Sequence, residues 1–410
     1  MEKNGNLIVG LDLGTTKTCA IVGEISTEGV DIIGFGSTLS KGLRKGMVID
    51  IEKTATSISK VVEEAELMSG CNISSVYTGI AGSHIQGLNS HGVIGIKDHE
   101  VRKNDIDRVI EAAKAMAIPL DREIIHVLPQ EFIVDEQSGI HDPLGMSGVR
   151  LEAKVHMVTG AAASAQNIIK CANRNGLSVK ELVLQPLASC ESTLEVDEKE
   201  LGVALVDIGG GTTDIAILHG GSIRNTSVLP LGGNHLTSDI AVGLRTPLKQ
   251  AEELKLQHGS ALSSLTSNDE TIEVTCMGGR QPRKVSKKFL CQIIQSRVEE
   301  IFNLVHKEIT RSGYKELIAS GIVLTGGTSL LEGIVELGEQ ILDIPVRVGY
   351  PNSVGGLSEI VKSPVYATAV GLVLYGRNHV SDPNYKKGGK KIFTGVTHGV
   401  KNWFVESFLN

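Results

Sequence analysis

At 410 residues, with 41% apolar and 21% charged residues, the chain is long enough for two or more domains with cores of their own. Its net charge of −7 argues against wholesale binding of nucleic acid, and no nucleic-acid partner is expected. The charge is uneven: residues 377–410 hold six Lys and Arg against two acids, net +4, which leaves −11 for the remainder, an acidic body with a basic end suited to an anionic surface.

Residues 7–24, LIVGLDLGTTKTCAIVGE, set an apolar run ending near Asp12, a Gly-Thr turn and a second apolar run, which predicts a β-hairpin. Residues 53–68 place Ala55, Ile58, Val61, Val62, Ala65 and Met68 at helical spacing and stop at Gly70. From about 84 to 160 the pattern changes to a helix near 104–117 and strand-like EIIHVLPQEFIV and LEAKVHMVTG, an inserted α+β unit. Residues 203–220, VALVDIGGGTTDIAILHG, repeat the first hairpin half a chain later, so two similar α/β halves are expected. GIVLTGG at 321–327 reads as a buried strand ending in a glycine pair. Ser329 and Glu332 then make a capping-box pattern for a helix carrying Leu330, Leu331, Ile334, Val335 and Leu337. Past Gly376 periodicity gives way to SDPNYKKGGKK, a linker by composition.

Cys19, Cys71, Cys171, Cys190, Cys276 and Cys291 form no C-x-x-C pair, so they are expected as small apolar fillers in a reducing cytosol, with no zinc site. Neither a signal peptide nor an apolar run long enough to span a bilayer is present, so a membrane role would be exercised from the surface.

The two hairpin turns carry the chemistry. Backbone N–H groups presented by a glycine-rich turn bind phosphate oxygens, and threonine hydroxyls add donors. Asp12-Leu13-Gly14-Thr15-Thr16-Lys17 supplies an ammonium as well, while Asp207-Ile208-Gly209-Gly210-Gly211-Thr212-Thr213-Asp214 is richer in glycine. Facing each other across a cleft, they would grip one polyphosphate from two sides. Asp12 and Asp207 would point inward, placed to hold Mg²⁺ mostly through its waters. Gly326-Gly327-Thr328-Ser329 would let a flat base lie against the backbone. Gly232-Gly233-Asn234 is a fourth turn of the same style.

The order DLGTTK, LQPLAS, DIGGGTTD, AEELK, LTGGTSL and ATAVG resembles the actin, sugar-kinase and heat-shock-chaperone ATPase superfamily. That resemblance implies an α/β, actin-like fold, two ribonuclease-H-like domains around a nucleotide cleft that takes ATP and Mg²⁺. By match, Asp12, Gly14, Thr15, Thr16 and Lys17 form the first phosphate loop, Asp207 and Gly209 to Thr213 the second, and Gly326 to Ser329 the adenosine loop. Glu252 and Lys255 fit ribose and base contacts, and Gln185 and Ala369 sit on the connecting segments where the domains hinge. Chaperone relatives place a glutamate where this chain has Gln185. A neutral amide orients water but takes no proton at pH 7, so with Asp12 and Asp207 it would support only slow hydrolysis.

Within the superfamily the chain resembles the FtsA family of bacterial cell-division proteins over nearly its whole length. KELGVALVDIGGGTTDIAILHGG and GIVLTGGTSLLEG read like family signatures. The resemblance implies subdomain 1A at 1–83, 161–198 and 350–376, and an inserted, SHS2-like subdomain 1C at 84–160. It implies 2A at 199–243 and 304–349, 2B at 244–303, a flexible basic linker at 377–392 and an amphipathic membrane-targeting helix at 393–410. It also implies a protein that tethers the FtsZ ring to the cytoplasmic face of the inner membrane, polymerises with itself, and recruits later division proteins through the inserted subdomain. An ATPase of pilus assembly, or a chaperone-like ATPase valued for its turnover, is the alternative.

FtsZ offers a short acidic-hydrophobic C-terminal peptide. Residues 280–297 carry Arg280, Arg283, Lys284, Lys287, Lys288 and Arg297 with no acid among them, a candidate dock for it. At the chain's end, Phe393, Val396, Val400, Trp403, Phe404 and Phe408 fall on one face of a helical wheel. A polar, lysine-rich linker precedes them, and Trp403 is the chain's one tryptophan, so lipid insertion from an anionic membrane surface is expected rather than core packing. Gly395 and Gly399 weaken the free helix by about 1 kcal/mol each, so it would fold on lipid, and a filament would add many weak anchors together.

Overall fold

A computed structural model describes residues 6–27, 29–267, 269–279 and 281–380; Arg280 and the predicted tail face from Phe393 to Phe408 lie outside the described residues.

Both predicted hairpins form. Leu7–Leu13 pairs antiparallel with Lys17–Ile25, with Asp12 opposite Cys19, and Val203–Ile208 pairs antiparallel with Thr213–His219, with Asp207 opposite Asp214. Around the first hairpin grows a six-stranded sheet ordered 178–184, 75–80, 7–13, 17–25, 30–39 and 355–356. Around the second grows a five-stranded sheet ordered 222–229, 213–219, 203–208, 322–325 and 346–348. Strands of near-continuous apolar residues such as VALVDI are buried along their whole length, as expected of strands covered on both faces.

The helix Ile51–Ser69 shows how local sequence sets an element. Asp50 caps it by accepting from Lys53 N at 3.1 Å, and Gly70 ends it at φ 67°, where a Cβ would be strained. Ile58 and Val61 are fully buried against strand 30–39. Full burial of each such side chain is worth roughly 1.5–3 kcal/mol. Gly36 permits the approach, because a Cβ there would lie 2.0 Å from the Val61 carbonyl oxygen.

The segment 84–160 folds as an α+β unit of its own. Its four-stranded sheet is ordered 86–95, 150–161, 122–134 and 137–140, with the helix Lys103–Lys114 on it and a separate apolar cluster around Phe132, Leu151 and Met157. The architecture is the α/β, actin-like one: two similar halves, an inserted α+β subdomain and a cleft between the halves.

Two helices connect the halves, Gln185–Thr193 and Ala367–Val380, and they cross in close contact. A Cβ on Gly371 would sit 1.8 Å from the Ala188 carbonyl oxygen, and Ser192 Oγ donates to Ala367 O at 2.7 Å. The second helix runs four residues past Gly376, where the sequence had pointed to linker.

A second element also differs from its prediction. No helix starts at Leu330; Gly327–Leu330 is a single 3₁₀ turn and the α-helix begins at Ile334. Left-handed Gly326 (φ 81°) and Gly333 (φ 75°) bracket the segment, and Ser329 turns its hydroxyl back to Gly326 O at 2.7 Å instead of capping forward.

Candidate functional site

The cleft between the halves has a volume of about 950 Å³, within the usual range for a small-molecule site. Two matched loops form its floor. Gly14 N donates to Lys17 O at 3.0 Å, and Gly209 N donates to Thr212 O, also at 3.0 Å, so both turns are closed by the same bond. They touch: a Cβ on Gly210 would lie 1.9 Å from Thr16 Oγ1, and one on Gly211 would lie 2.6 Å from Thr15 Oγ1. Only glycine lets the second loop come this near the first. Thr15 Oγ1 also accepts from Gly46 N at 2.9 Å. The third glycine turn is tied in, since Gly233 N donates to Gly209 O at 2.9 Å and Asn234 N to Gly210 O at 2.8 Å.

Charged groups on the floor are buried and only partly matched. Lys17 Nζ finds no hydrogen-bond partner; it stands 3.8 Å from Asp12 Oδ2 and 4.3 Å from the Tyr366 ring centroid. Asp12 Oδ1 instead accepts from Gln185 Nε2 at 3.2 Å. Asp207 Oδ2 accepts from Ser189 Oγ at 3.0 Å and Thr368 Oγ1 at 3.4 Å, one hydroxyl from each connecting helix. Asp214 accepts from Thr212 Oγ1 at 2.9 Å through Oδ2, while Oδ1 has no partner. Burial pushes the Asp12 carboxyl up against the opposing pull of Lys17. Burial, with the Asp12 charge adding to it and Ser189 opposing, lifts Asp207 to about 6. Burial and the Asp207 charge lift Asp214 to about 7. Three acids held up by desolvation beside an ammonium with nothing to donate to make a site that gains from an incoming polyanion and its counter-cation.

Asp12, Gly14, Thr15, Thr16, Lys17, Gln185, Asp207, Gly209, Gly210, Gly211, Thr212, Gly233, Glu252, Lys255, Gly326, Gly327 and Thr328 all line this one cleft. Three residues picked out with them stand behind it. Thr213 is fully buried and donates its hydroxyl to Leu231 O at 2.9 Å, Ser329 is engaged with Gly326, and Gly232 backs the second loop, where a Cβ would lie 2.5 Å from Gly209 O. Glu252 and Lys255 pair at 2.7 Å, and Lys255 Nζ also donates to Gly233 O at 3.2 Å and Thr237 Oγ1 at 3.0 Å. They fasten helix Leu248–His258 to the glycine turn as well as lining the cleft.

Sequence reasoning missed the apolar wall and the hydroxyls on Asp207. Leu248, Leu256, Leu330 and Val365 line the cleft, and Leu248 and Leu256 are 61% and 74% exposed. Two leucines flanking AEELK on an otherwise polar helix were the available signal. Ser189 and Thr368 carried none, because their meeting at Asp207 depends on the helix crossing.

The basic stretch is less bare in three dimensions than along the chain. Lys284 stands opposite Glu273 in a two-stranded hairpin, Arg283 Nη2 donates to Leu244 O at 3.0 Å, and Lys287 pairs with Glu270 at 2.8 Å. Arg297 makes a bidentate pair with Asp239 at 2.6 and 3.0 Å and a further one with Glu300. Lys288 lies in the first turn of helix Lys287–Ser312, next to Phe289, which is 46% exposed. Among the described residues no helix is long and apolar enough to cross a membrane, and no group of three or more His, Cys, Asp or Glu could hold a metal.

Comparison with known proteins agrees with this architecture. A family model described as "Cell division protein FtsA" matches residues 204–371, and one described as "SHS2 domain inserted in FTSA" matches residues 82–159. The cell division protein FtsA of Pseudomonas aeruginosa is 52% identical over 381 residues, covering 93% of this chain and 91% of that one. Those of Neisseria meningitidis and Bacillus subtilis are 49% and 39% identical, covering 91% and 94% of this chain and 91% and 87% of their own. Among solved structures, a PilM–PilN type IV pilus biogenesis complex superposes with a TM-score of 0.66 at 19% identity, covering 90% of this chain and 98% of that one. MreB5 of Spiroplasma citri bound to ADP gives 0.55 at 15% identity, covering 93% and 99%. At 52% identity over nearly its whole length, the chain belongs to the FtsA family of cell-division proteins.

Proposed function

We propose that this protein binds ATP with Mg²⁺ in the cleft and uses the nucleotide mainly as a conformational ligand while it tethers the FtsZ ring to the cytoplasmic face of the inner membrane. The single observation that carries the nucleotide reading is Lys17 Nζ, buried without a hydrogen-bond partner at the end of the first of two glycine loops closed by the same bond. Gly14 to Lys17 and Gly209 to Thr212 would cradle the phosphates, and the leucine wall with Gly326 and Gly327 would take the base. Mg²⁺ would neutralise phosphate charge, with Asp12 and Asp207 holding it largely through its waters. Gln185 would orient a water without removing its proton, which keeps turnover slow.

The remaining parts of the reading rest on the family and on sequence. The surface around Arg283, Lys284, Lys288 and Arg297 would receive the acidic-hydrophobic FtsZ peptide. The inserted subdomain would contact later division proteins, and polymerisation would sum weak membrane contacts made by the 393–410 face.

Two measurements test this. Mg·ATP should bind the full-length protein in calorimetry, and no binding at millimolar nucleotide would end the nucleotide reading. Full-length protein should pellet with anionic vesicles and a chain ending at Val380 should not; equal pelleting would remove the tether.

A further inference from the structure

The inserted subdomain is joined covalently to the first half, yet a polar seam, buried at Gln130, His156, Ser222 and Thr226, binds it to the second. On the second half, strand Ser222–Leu229 is a sheet edge, and its pairing with Thr213–His219 shifts register so that Arg224 is left out of the ladder. On the inserted subdomain, the pairing of strand Arg122–Val134 with Arg150–Ala161 skips Gln130 in the same way. A bulge re-aims the groups it frees, and these two bulges meet. Gln130 Nε2 donates to Ile223 O at 2.9 Å and Arg224 O at 3.2 Å, and Asn89 Nδ2 donates to Arg224 O at 3.2 Å. Ser222 Oγ returns a bond to Gln130 O at 3.1 Å. His156 completes the seam, with Nε2 2.8 Å from Thr226 Oγ1 and Nδ1 2.6 Å from Asn89 Oδ1.

The strand that receives these bonds belongs to the ribbon whose other end carries the nucleotide loops. Thr213, the strand residue that follows the second glycine loop, pairs with Leu229, and the chain leaving Leu229 enters the Gly232-Gly233 turn. We propose that this seam is a latch that makes the inserted subdomain follow the second half, so that a change in the cleft is passed through ribbon 213–229 to strand 86–95. The inference rests on the cleft binding nucleotide.

Amide hydrogen exchange on the full-length protein, with and without Mg·ATP, tests it. In the wild type Mg·ATP should protect 209–213 and also change exchange in 86–95, by ~10-fold in rate, in the range of ordinary allosteric couplings. In Asn89→Ala/Gln130→Ala the protection at 209–213 should persist and the response at 86–95 should vanish. Thr226→Val, which removes one hydroxyl with little change of shape, should reduce that response and serves if the double variant does not fold. A response at 86–95 that survives in the variants, or is missing from a wild type whose 209–213 is protected, overturns the latch alone. An unprotected 209–213 in the wild type overturns the nucleotide reading and the coupling with it.

Discussion

Gln185 Nε2 donates to Asp12 Oδ1 across 3.2 Å, so the side chain proposed to orient a water is already bonded to a cleft carboxylate. A glutamate there would be buried beside Asp12, and both effects would raise its pKa toward neutrality, where a general base works best. Gln185→Glu should therefore raise the ATP turnover by about 10-fold or more over wild type, while Gln185→Asn should not. Phosphate release at saturating Mg·ATP checks it, and a Glu variant no faster than wild type would remove the amide as the limiting group.

Lys17 has no hydrogen-bond acceptor of its own in the protein. A bond to a charged partner contributes about 1.5–3 kcal/mol, so Lys17→Met should weaken Mg·ATP binding by about 30-fold. The same change removes a buried ammonium whose ion pair with Asp12, at 3.8 Å, is too long for a hydrogen bond to offset its desolvation, so the ligand-free variant should melt no lower than wild type. Calorimetric titration and thermal melting of the two proteins decide the point.

Asp214 lies opposite Asp207, and its folded pKa is raised from 3.8 to about 7. An acid whose folded pKa is raised favours the protonated folded form. Its contribution to stability is fully present below about pH 4 and is lost as the pH rises through about 7. Asp214→Asn cannot ionise. It should gain on the wild type across that window, by on the order of 2 kcal/mol at pH 8 in the ligand-free state. Urea denaturation at pH 5 and pH 8 measures the difference, and a gap that does not widen with pH would show that Asp214 is not held up by burial.

Arg297 already holds Asp239 through two bonds, so it supports the surface of the proposed dock as well as its charge. Charge reversal with Arg297→Glu should weaken binding of an acidic-hydrophobic peptide by about 10-fold or more, and should also lower the melting temperature, because Asp239 loses its partner. Arg297→Lys keeps the charge but not the planar fork, and should lose less of both. Fluorescence anisotropy with a labelled peptide reads the first effect; unchanged affinity in Arg297→Glu would take this residue out of the dock.

The parts of this fold that were legible are those whose cause is local. The two hairpins declare themselves because an apolar run, an aspartate and a Gly-Thr turn each favour the same conformation, and helical periodicity that stops at Gly70 shows the helix that Asp50 caps in the structure. Local reasoning failed at Ser329, where a capping pattern was overruled by left-handed glycines at 326 and 333. It could not reach what depends on two distant segments meeting: Ser189 and Thr368 on Asp207, Gln130 on the Arg224 bulge, or the acids Asp239, Glu270 and Glu273 that answer a run of bases with none in its own sequence.

The seam at Arg224 has a second consequence. An edge strand with free carbonyls is a template on which another chain can lay a strand, and proteins that survive at high local concentration must deny it. Here Gln130 and Asn89 occupy the carbonyls of Ile223 and Arg224. The inserted subdomain thus closes one margin of the second sheet to sheet growth, and copies of this chain that gather side by side must meet through some other surface.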